Sequence, residues 1–207
     1  MPESSKTQKI KHRYNRISGV YDLIDKPMEQ MFSGHRERML QDASGKVLEV
    51  GAGTGKNFEY YPEGVEVTAI DFSPAMVRIA REKAEKLPNI KEVLEMDAES
   101  MSFADNTFDT VVTSCVFCSA PHPVKGLKEI RRVCKNGGRI LMLEHVKSKN
   151  PVIGPVMDIL NPVPLCIYGA NINRDTVKNL QKAGFRNIKV KNLWLDILKL
   201  IAIKNDK

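Results

Sequence analysis

From Lys46 onward, short apolar runs alternate with stretches whose apolar residues recur every third or fourth position. The runs at 47–50, 65–70, 90–95, 108–114 and 139–145 read as strands, and the segments at about 55–61, 74–86 and 122–134 as helices. Their boundaries carry chemical marks. Ser73 followed by Pro74 is an N-cap with proline at the first helical position. Asp105-Asn106 is a turn ahead of the fourth strand, and Val124, Leu127, Ile130 and Val133 make one buried helix face that Gly137-Gly138 is expected to end. Such alternation predicts an α/β fold, a parallel sheet with helices on both faces and a ligand at the carboxyl ends of the strands.

Two flanks depart from that rhythm. Ile10, Tyr14, Ile17, Tyr21, Ile24 and Met28 follow helical spacing, Met31 and Phe32 extend the stripe, and the opposite face is basic. Gly19 and Pro27 should divide this segment into short helices. Residues 148–170 are apolar yet hold four prolines, too many for one continuous helix, and suit a lid or acceptor-binding wall. Beyond them a helix is expected from Arg174 to Ala183, capped by Asn173 and stopped by Gly184, then strands at 185–191 and 196–203 as an antiparallel hairpin. The chain reads as one domain: a helical cap (1–44), a cofactor-binding core (45–147), an apolar lid (148–170) and a C-terminal helix with hairpin (171–207).

The chemistry starts where the first strand breaks into glycine. Gly51, Gly53 and Gly55 are spaced G-x-G-x-G, and Glu49 stands just before them, where a phosphate would be repelled. Asp71 ends the second strand at the position that accepts hydrogen bonds from ribose hydroxyls. Asp97-Ala98-Glu99 ends the third and can meet an adenine edge. Three acidic strand ends with no phosphate-binding lysine point to a sulfonium nucleoside, S-adenosylmethionine.

Composition narrows the partners. The net charge of +7 is uneven: Lys6, Lys9, Lys11, Arg13 and Arg16 face only Glu3 in the first sixteen residues, and cations recur from Lys178 to Lys199. That excess suits an anionic membrane surface. Aromatic residues are only 6% and no nucleic-acid module appears, so no nucleic-acid partner is expected. Met1 to Lys11 is polar and basic without an apolar core, and no run reaches the ~20 apolar residues of a membrane span, so a cytoplasmic chain, peripheral at the inner membrane face, is expected. Cys115 and Cys118 have C-x-x-C spacing, but no second ligand pair matches it, so no metal is expected. As strand residues the two thiols would point to opposite faces and pack.

Leu48-Glu49-Val50-Gly51-Ala52-Gly53-Thr54-Gly55, Asp71-Phe72-Ser73-Pro74-Ala75-Met76, Asp97-Ala98-Glu99, Phe103 to Asp109 and Arg132 to Arg139 resemble, in order, the motifs of class I methyltransferases. Val116-Phe117-Cys118-Ser119, Leu143-Glu144-His145-Val146 and Gly169 to Arg174 resemble a narrower group. It contains small bacterial phosphatidylethanolamine N-methyltransferases and animal thiol methyltransferases, and neighbours the ubiquinone and menaquinone C-methyltransferases. The resemblance implies a Rossmann-like, seven-stranded, mostly parallel sheet and S-adenosylmethionine as cofactor.

On that reading Glu49 and the glycine turn, with Thr54 and Asn57, hold the aminocarboxypropyl end. Asp71, Phe72 and Ser73 take the ribose side, and Asp97, Ala98 and Glu99 the adenine. Ser114, Cys115 and Val116 lie under the sulfur, with Ser119 and Met76 as further contacts. An amine acceptor is mostly protonated at neutral pH, so His145 at the end of strand five, facing the acceptor, is the expected base. Tyr14 and Tyr21 are expected to hold the amine by cation–π contact or a phenolic hydrogen bond. Asp158 would orient an ammonium group; Asn171, Asn173 and Arg174 form a polar substrate-binding group opposite the lid, in which Arg174, at a helix N-terminus, would suit a phosphate. Phosphatidylethanolamine or a related amphipathic amine is the expected acceptor, with a quinone precursor or a small hydrophobic thiol as alternatives.

Overall fold

A computed structural model of the chain describes residues 2–24, 26–167 and 169–207; the side chains of 2–6, 24, 27, 28, 30 and 31 lie outside that description, and with them Ile24, Met28 and Met31 of the apolar stripe. Strands β1 (Lys46–Val50), β2 (Glu66–Asp71), β3 (Ile90–Glu95), β4 (Phe108–Ser114), β5 (Cys134–His145), β6 (Ile188–Trp194) and β7 (Leu198–Lys204) form one sheet. Its order is β3-β2-β1-β4-β5-β7-β6. The first five strands pair in parallel and β7 runs antiparallel between β5 and β6. Strand order reverses between β1 and β4, so the crevice at their carboxyl ends is where an open α/β sheet binds its ligand.

Alternation along the strands divides the core. Val47, Leu141 and Leu143 face Phe32, Met39 and Leu40 of helix α3 (Lys26–Leu40) in one layer. Leu48, Ile140 and Met142 join Leu127 and Ile130 of α5 (Pro123–Val133) and Leu180 of α8 (Thr176–Lys182) in the other. Over the sheet's carboxyl edge lie α1 (Pro2–Ile17), a 3₁₀ turn at Ser18–Val20 and α2 (Tyr21–Ile24). Helix α4 (Pro74–Ala84) starts as expected, the Ser73 hydroxyl accepting from Met76 N. The insert folds as α6 (Ile153–Leu160) and α7 (Pro162–Ile167). Among the described residues no helix is long and apolar enough to cross a membrane.

Three expected elements differ. The helix at 55–61 shrinks to a 3₁₀ turn at Phe58–Tyr60, because Pro62 and Gly64 follow at once. The helix at 122–134 stops at Val133 and β5 begins with the next residue, so Gly137, at φ 76°, lies inside the strand rather than at a helix end. The β4–β5 register shifts there, between Phe108 and Thr110, as a bulge requires. Helix α8 starts two residues late because Asp175, not Asn173, caps it by accepting from Lys178 N at 3.0 Å.

Candidate active site

The glycine turn builds the floor of the site. Gly51 has φ 71° and donates its N–H to Ile70 O at 2.8 Å. A Cβ there would stand 2.5 Å from Val116 Cγ2, so only glycine lets the turn lie against the end of β4. Gly53 donates to Asp71 Oδ2 at 2.9 Å, and a Cβ on it would meet nothing within 4 Å, because the turn faces a cavity at that point. Two cavities meet here, sharing Tyr14, Tyr21, Gly51, Gly53, Ser114 and Cys115 as walls.

The first cavity encloses about 780 Å³, counting space open to solvent. It is lined by Asp71 and Phe72 after β2, Met76 on α4, and Asp97, Ala98 and Glu99 after β3; Val116 and Ser119 complete it. Asp71 accepts from the backbone N–H groups of Gly53 and Ser73, while its burial pushes the carboxyl up. Asp97 accepts from Glu99 N, and Glu99 from His122 N at 2.7 Å, which fixes the third strand end. Tyr14 closes the roof, its hydroxyl 2.6 Å from Ser119 Oγ and its ring edge-on to Phe72. Burial raises that phenol well above its ordinary value, so it stays protonated.

The second cavity, about 1210 Å³ on the same measure, holds a charged chain. Glu49, fully buried, accepts from Asn57 Nδ2 at 2.9 Å and Tyr61 OH at 2.8 Å; burial outweighs those bonds and pushes its carboxyl up to about 7. Asn57 also donates to Ser114 Oγ and accepts from Arg36 Nη1 at 2.9 Å. Thr54 lines the same space and donates to Asp22 Oδ1. Arg36 and Lys56 both line it and were missed from the sequence. Arg36 stands one helical turn after Phe32, and that i, i+4 relation to a stripe residue is the signal that marked it as inward-facing.

Several expected residues stand apart from the two cavities. Gly55 and Ser73 line neither cavity: Gly55 packs against the Phe58 ring, and Ser73 is a buried cap whose hydroxyl donates to Asn15 Oδ1. His145 also lines neither. Cys115, not His145, supplies a wall to both cavities. The His145 ring has a buried Nδ1 without a hydrogen-bond partner among the described residues, and burial pulls its pKa down. Asn171 and Asn173 line neither cavity; Ala170 and Ile172, in the segment that follows α7, are the residues that line the second. Asn171 bonds Cys118 O; Asn173 and Lys147 bond the exposed Asp158. Arg174 precedes the Asp175 cap and donates to Ala120 O at 2.9 Å. These four residues fasten the insert to the core.

The cysteine pair is corrected too. Strand β4 ends at Ser114, and Cys115 takes a left-handed φ of 53°, so Cys115 and Cys118 both face the second cavity. Burial raises both thiols, Cys118 to about 12, so they are neutral wall groups. Among the described residues no group of three or more His, Cys, Asp or Glu side chains is placed to hold a metal.

A doubly wound sheet whose glycine turn and acidic strand ends open together on a cavity at the reversal of strand order is the arrangement of a nucleoside-binding α/β enzyme. The comparisons carry it further. Residues 48–142 match a family model described as "Methyltransferase domain". A phosphatidylethanolamine N-methyltransferase of Cereibacter sphaeroides is 43% identical over 111 residues, 52% of this chain and 55% of that protein, so the match spans about half of that relative. A human thiol S-methyltransferase is 33% identical over 186 residues, 81% of this chain and 74% of its own. A Thermotoga maritima structure described as an S-adenosylmethionine-dependent methyltransferase, possibly acting on histamine, shares the fold at TM-score 0.70 and 19% identity, covering 94% and 99% of the two chains. The chain belongs to the S-adenosylmethionine-dependent methyltransferases, and S-adenosylmethionine is its cofactor.

The residues present fit that group. Asp71 offers the first cavity a carboxylate able to accept from hydroxyl groups, the buried Glu49 and Arg36 offer the second opposite charges that suit an amino-acid end, and the two cavities share Ser114 and Cys115 as walls.

Proposed function

We propose that this methyltransferase methylates the amine of phosphatidylethanolamine, or of a related amphipathic amine, at a membrane surface. The carrying observation is the exposed apolar side chains on α2 and on the insert, the two segments that also supply Tyr21 and Pro164 to the walls of the second cavity. Leu23 on α2 is 72% exposed and Ile159 on α6 76%, with Val20, Val152, Leu160 and Val163 also exposed, while Pro164 of α7 lines the second cavity itself. Apolar surface of that kind on segments that wall a ligand cavity marks an interaction site. Arg13 of the basic α1 donates to Leu165 O at 2.6 Å and joins the two flanks. The 43% identity to a phosphatidylethanolamine N-methyltransferase supports the same acceptor.

S-adenosylmethionine, when bound, supplies a methyl carbon on a sulfonium that the acceptor's lone pair displaces in line. The chain's share is alignment and exclusion of water. Asp71 would orient the ribose; Glu49 and Arg36, fixed through Asn57, would hold the amino and carboxylate groups; Asp97, Ala98 and Glu99 would meet the adenine. The junction at Ser114 and Cys115 then lies under the sulfur, and Tyr14 and Tyr21 wall the acceptor side. No base role falls to His145, which lines neither cavity.

Thiol S-methylation is a second reading, favoured by the longer match to a thiol methyltransferase, 81% of this chain against 52%. One acceptor panel decides between them: anionic vesicles with phosphatidylethanolamine, a hydrophobic small thiol and a quinol precursor, each with methyl-labelled cofactor. Label in the lipid amine is expected; label in the thiol or quinol alone would overturn the amine reading.

A further inference from the structure

We propose that the tip of the β6–β7 hairpin is a second membrane contact, where Trp194 and Leu195 enter the interfacial layer of an anionic bilayer beside Lys189 and Lys191. This rests on the membrane-surface part of the reading above and adds a contact outside the N-terminal helices and the insert. Trp194, the chain's single tryptophan, is 49% exposed and Leu195 58%, and neither lines either cavity. An indole joins a large apolar body to one N–H donor, which suits the boundary between acyl chains and headgroups.

The fold aims these side chains. Strand β6 is an edge of the sheet, and its pairing with β7 slips between Asn192 and Trp194, so that Leu193 is an extra residue. In unbroken alternation Trp194 would share the face of Val190 and Asn192. The bulge sets it opposite Leu198 instead, while Lys189 and Lys191 stand opposite Ala202 and Leu200; all three partners belong to, or pack against, the layer that holds α3. One aromatic and two exposed cations therefore share a face of the edge strand. Leu195 follows with a left-handed φ of 49°, a backbone that asparagine or glycine would adopt with less strain, yet an exposed apolar side chain stands there.

Position and charge select the bilayer. Leu198 pairs with both Trp194 and His145, the last residue of β5, so the turn lies at the carboxyl ends of the parallel strands, the end at which Asp71 and Ser114 wall the cavities. Asp196 in that turn accepts from the Ser148 hydroxyl at 2.5 Å and from Lys149 N at 2.6 Å, which fastens the tip to the residues leading into α6 and its exposed Ile159. Lysines along an edge strand oppose pairing with the same edge of a second copy, because like charges would meet. Anionic lipid attracts each of them.

The test titrates the full chain with vesicles of phosphatidylglycerol and phosphatidylcholine while Trp194 emission and sedimentation are read together. The emission is expected to move to shorter wavelength as the indole leaves water, and lipids brominated near the headgroup end of the acyl chain to quench it more than lipids brominated near the tail. Trp194→Ala is expected to weaken vesicle affinity by about fivefold or more and Trp194→Phe to restore most of it. Should Trp194→Ala fail to fold, Leu195→Asn, which relieves the left-handed backbone and keeps the fluorophore, is expected to weaken affinity by about threefold. Sedimentation with vesicles but unshifted emission overturns the tip contact and leaves the membrane reading to the N-terminal helices and the insert. Absence of vesicle binding overturns both. An emission shift that follows protein concentration without vesicles overturns the contact by assigning the tip to a second copy. Shifted emission on vesicles containing phosphatidylethanolamine that gain no methyl label keeps the contact and removes the lipid amine as acceptor.

Discussion

Glu49 is the residue on which cofactor affinity should turn. Burial holds its carboxyl near 7 against the 4.5 of an exposed glutamate, even though Tyr61 and Asn57 both donate to it. An amino group arriving beside it would favour the ionised form, so below about pH 7 binding must first expel a proton. S-adenosylmethionine affinity is therefore expected to weaken by up to about tenfold per pH unit below that point, and Glu49→Gln to bind weakly but without the slope. Calorimetric Kd values on either side of neutrality check it. Stability of the cofactor-free chain runs the other way: a raised carboxyl favours the fold fully below about 4.5 and loses that contribution as pH rises through about 7. Glu144, also pushed up to about 7 by burial, adds to the same slope. Glu49 and Asp71 were legible in the sequence because each interrupts or ends an apolar run at a ligand-facing position. Arg36 and Lys56 were not: the spacing of Arg36 from Phe32 turns it inward without saying what it meets, and Lys56, directly after Gly55, carries no pattern that tells a cavity wall from a solvated turn.

Among the elements, α1 acts as a strap over the cofactor cavity. Tyr14 bonds Ser119 at 2.6 Å and Asn15 receives the Ser73 hydroxyl at 2.7 Å, so one helical turn is tied both to the loop after β4 and to the cap of α4. Tyr14→Phe removes one tie and leaves the ring packing; a loss of about 1 kcal/mol should speed cofactor release roughly fivefold, with stopped-flow release as the measure and an unchanged rate as the contrary result. The far end of the sheet should behave differently. Arg132 donates to Glu129, Asp105, Met101 O and Phe103 O, pinning the loop before β4 to α5. Arg132→Ala is expected to lower the unfolding free energy by about 1–3 kcal/mol, read from denaturant curves, while the Kd of S-adenosylmethionine holds. The strand–helix alternation that placed these elements was readable because burial enforces period 2 in strands and 3.6 in helices. The direct join of α5 to β5, the Asp175 cap and the left-handed Cys115 were not, because each depends on backbone hydrogen bonds and neighbours that no local pattern encodes.

At the scale of the whole molecule, a direct contact joins the basic helix to the apolar insert. Arg13 ties α1 to the insert, and α2 and the insert, which supply Tyr21 and Pro164 to the second cavity, carry exposed apolar residues. A surface built this way meets an anionic bilayer by two additive contributions: attraction of the cations, which salt screens over about 8–10 Å, and burial of the apolar side chains, which salt does not weaken. Raising ionic strength should therefore reduce vesicle binding only in part. Replacing Leu23 and Ile159 together by glutamate should do more, since it removes apolar burial and adds repulsion. A drop of at least tenfold in binding to anionic vesicles is expected in sedimentation assays. Neither side chain lines a cavity, so S-adenosylmethionine affinity and methylation of a water-soluble short-chain acceptor should stay within about twofold of the unmutated chain. If the double variant bound vesicles undiminished, the apolar face would have another use and the lipid acceptor would lose its main support. If vesicle binding and soluble turnover fell together, the substitutions would have disturbed the lid itself, and the two roles of the insert would be inseparable.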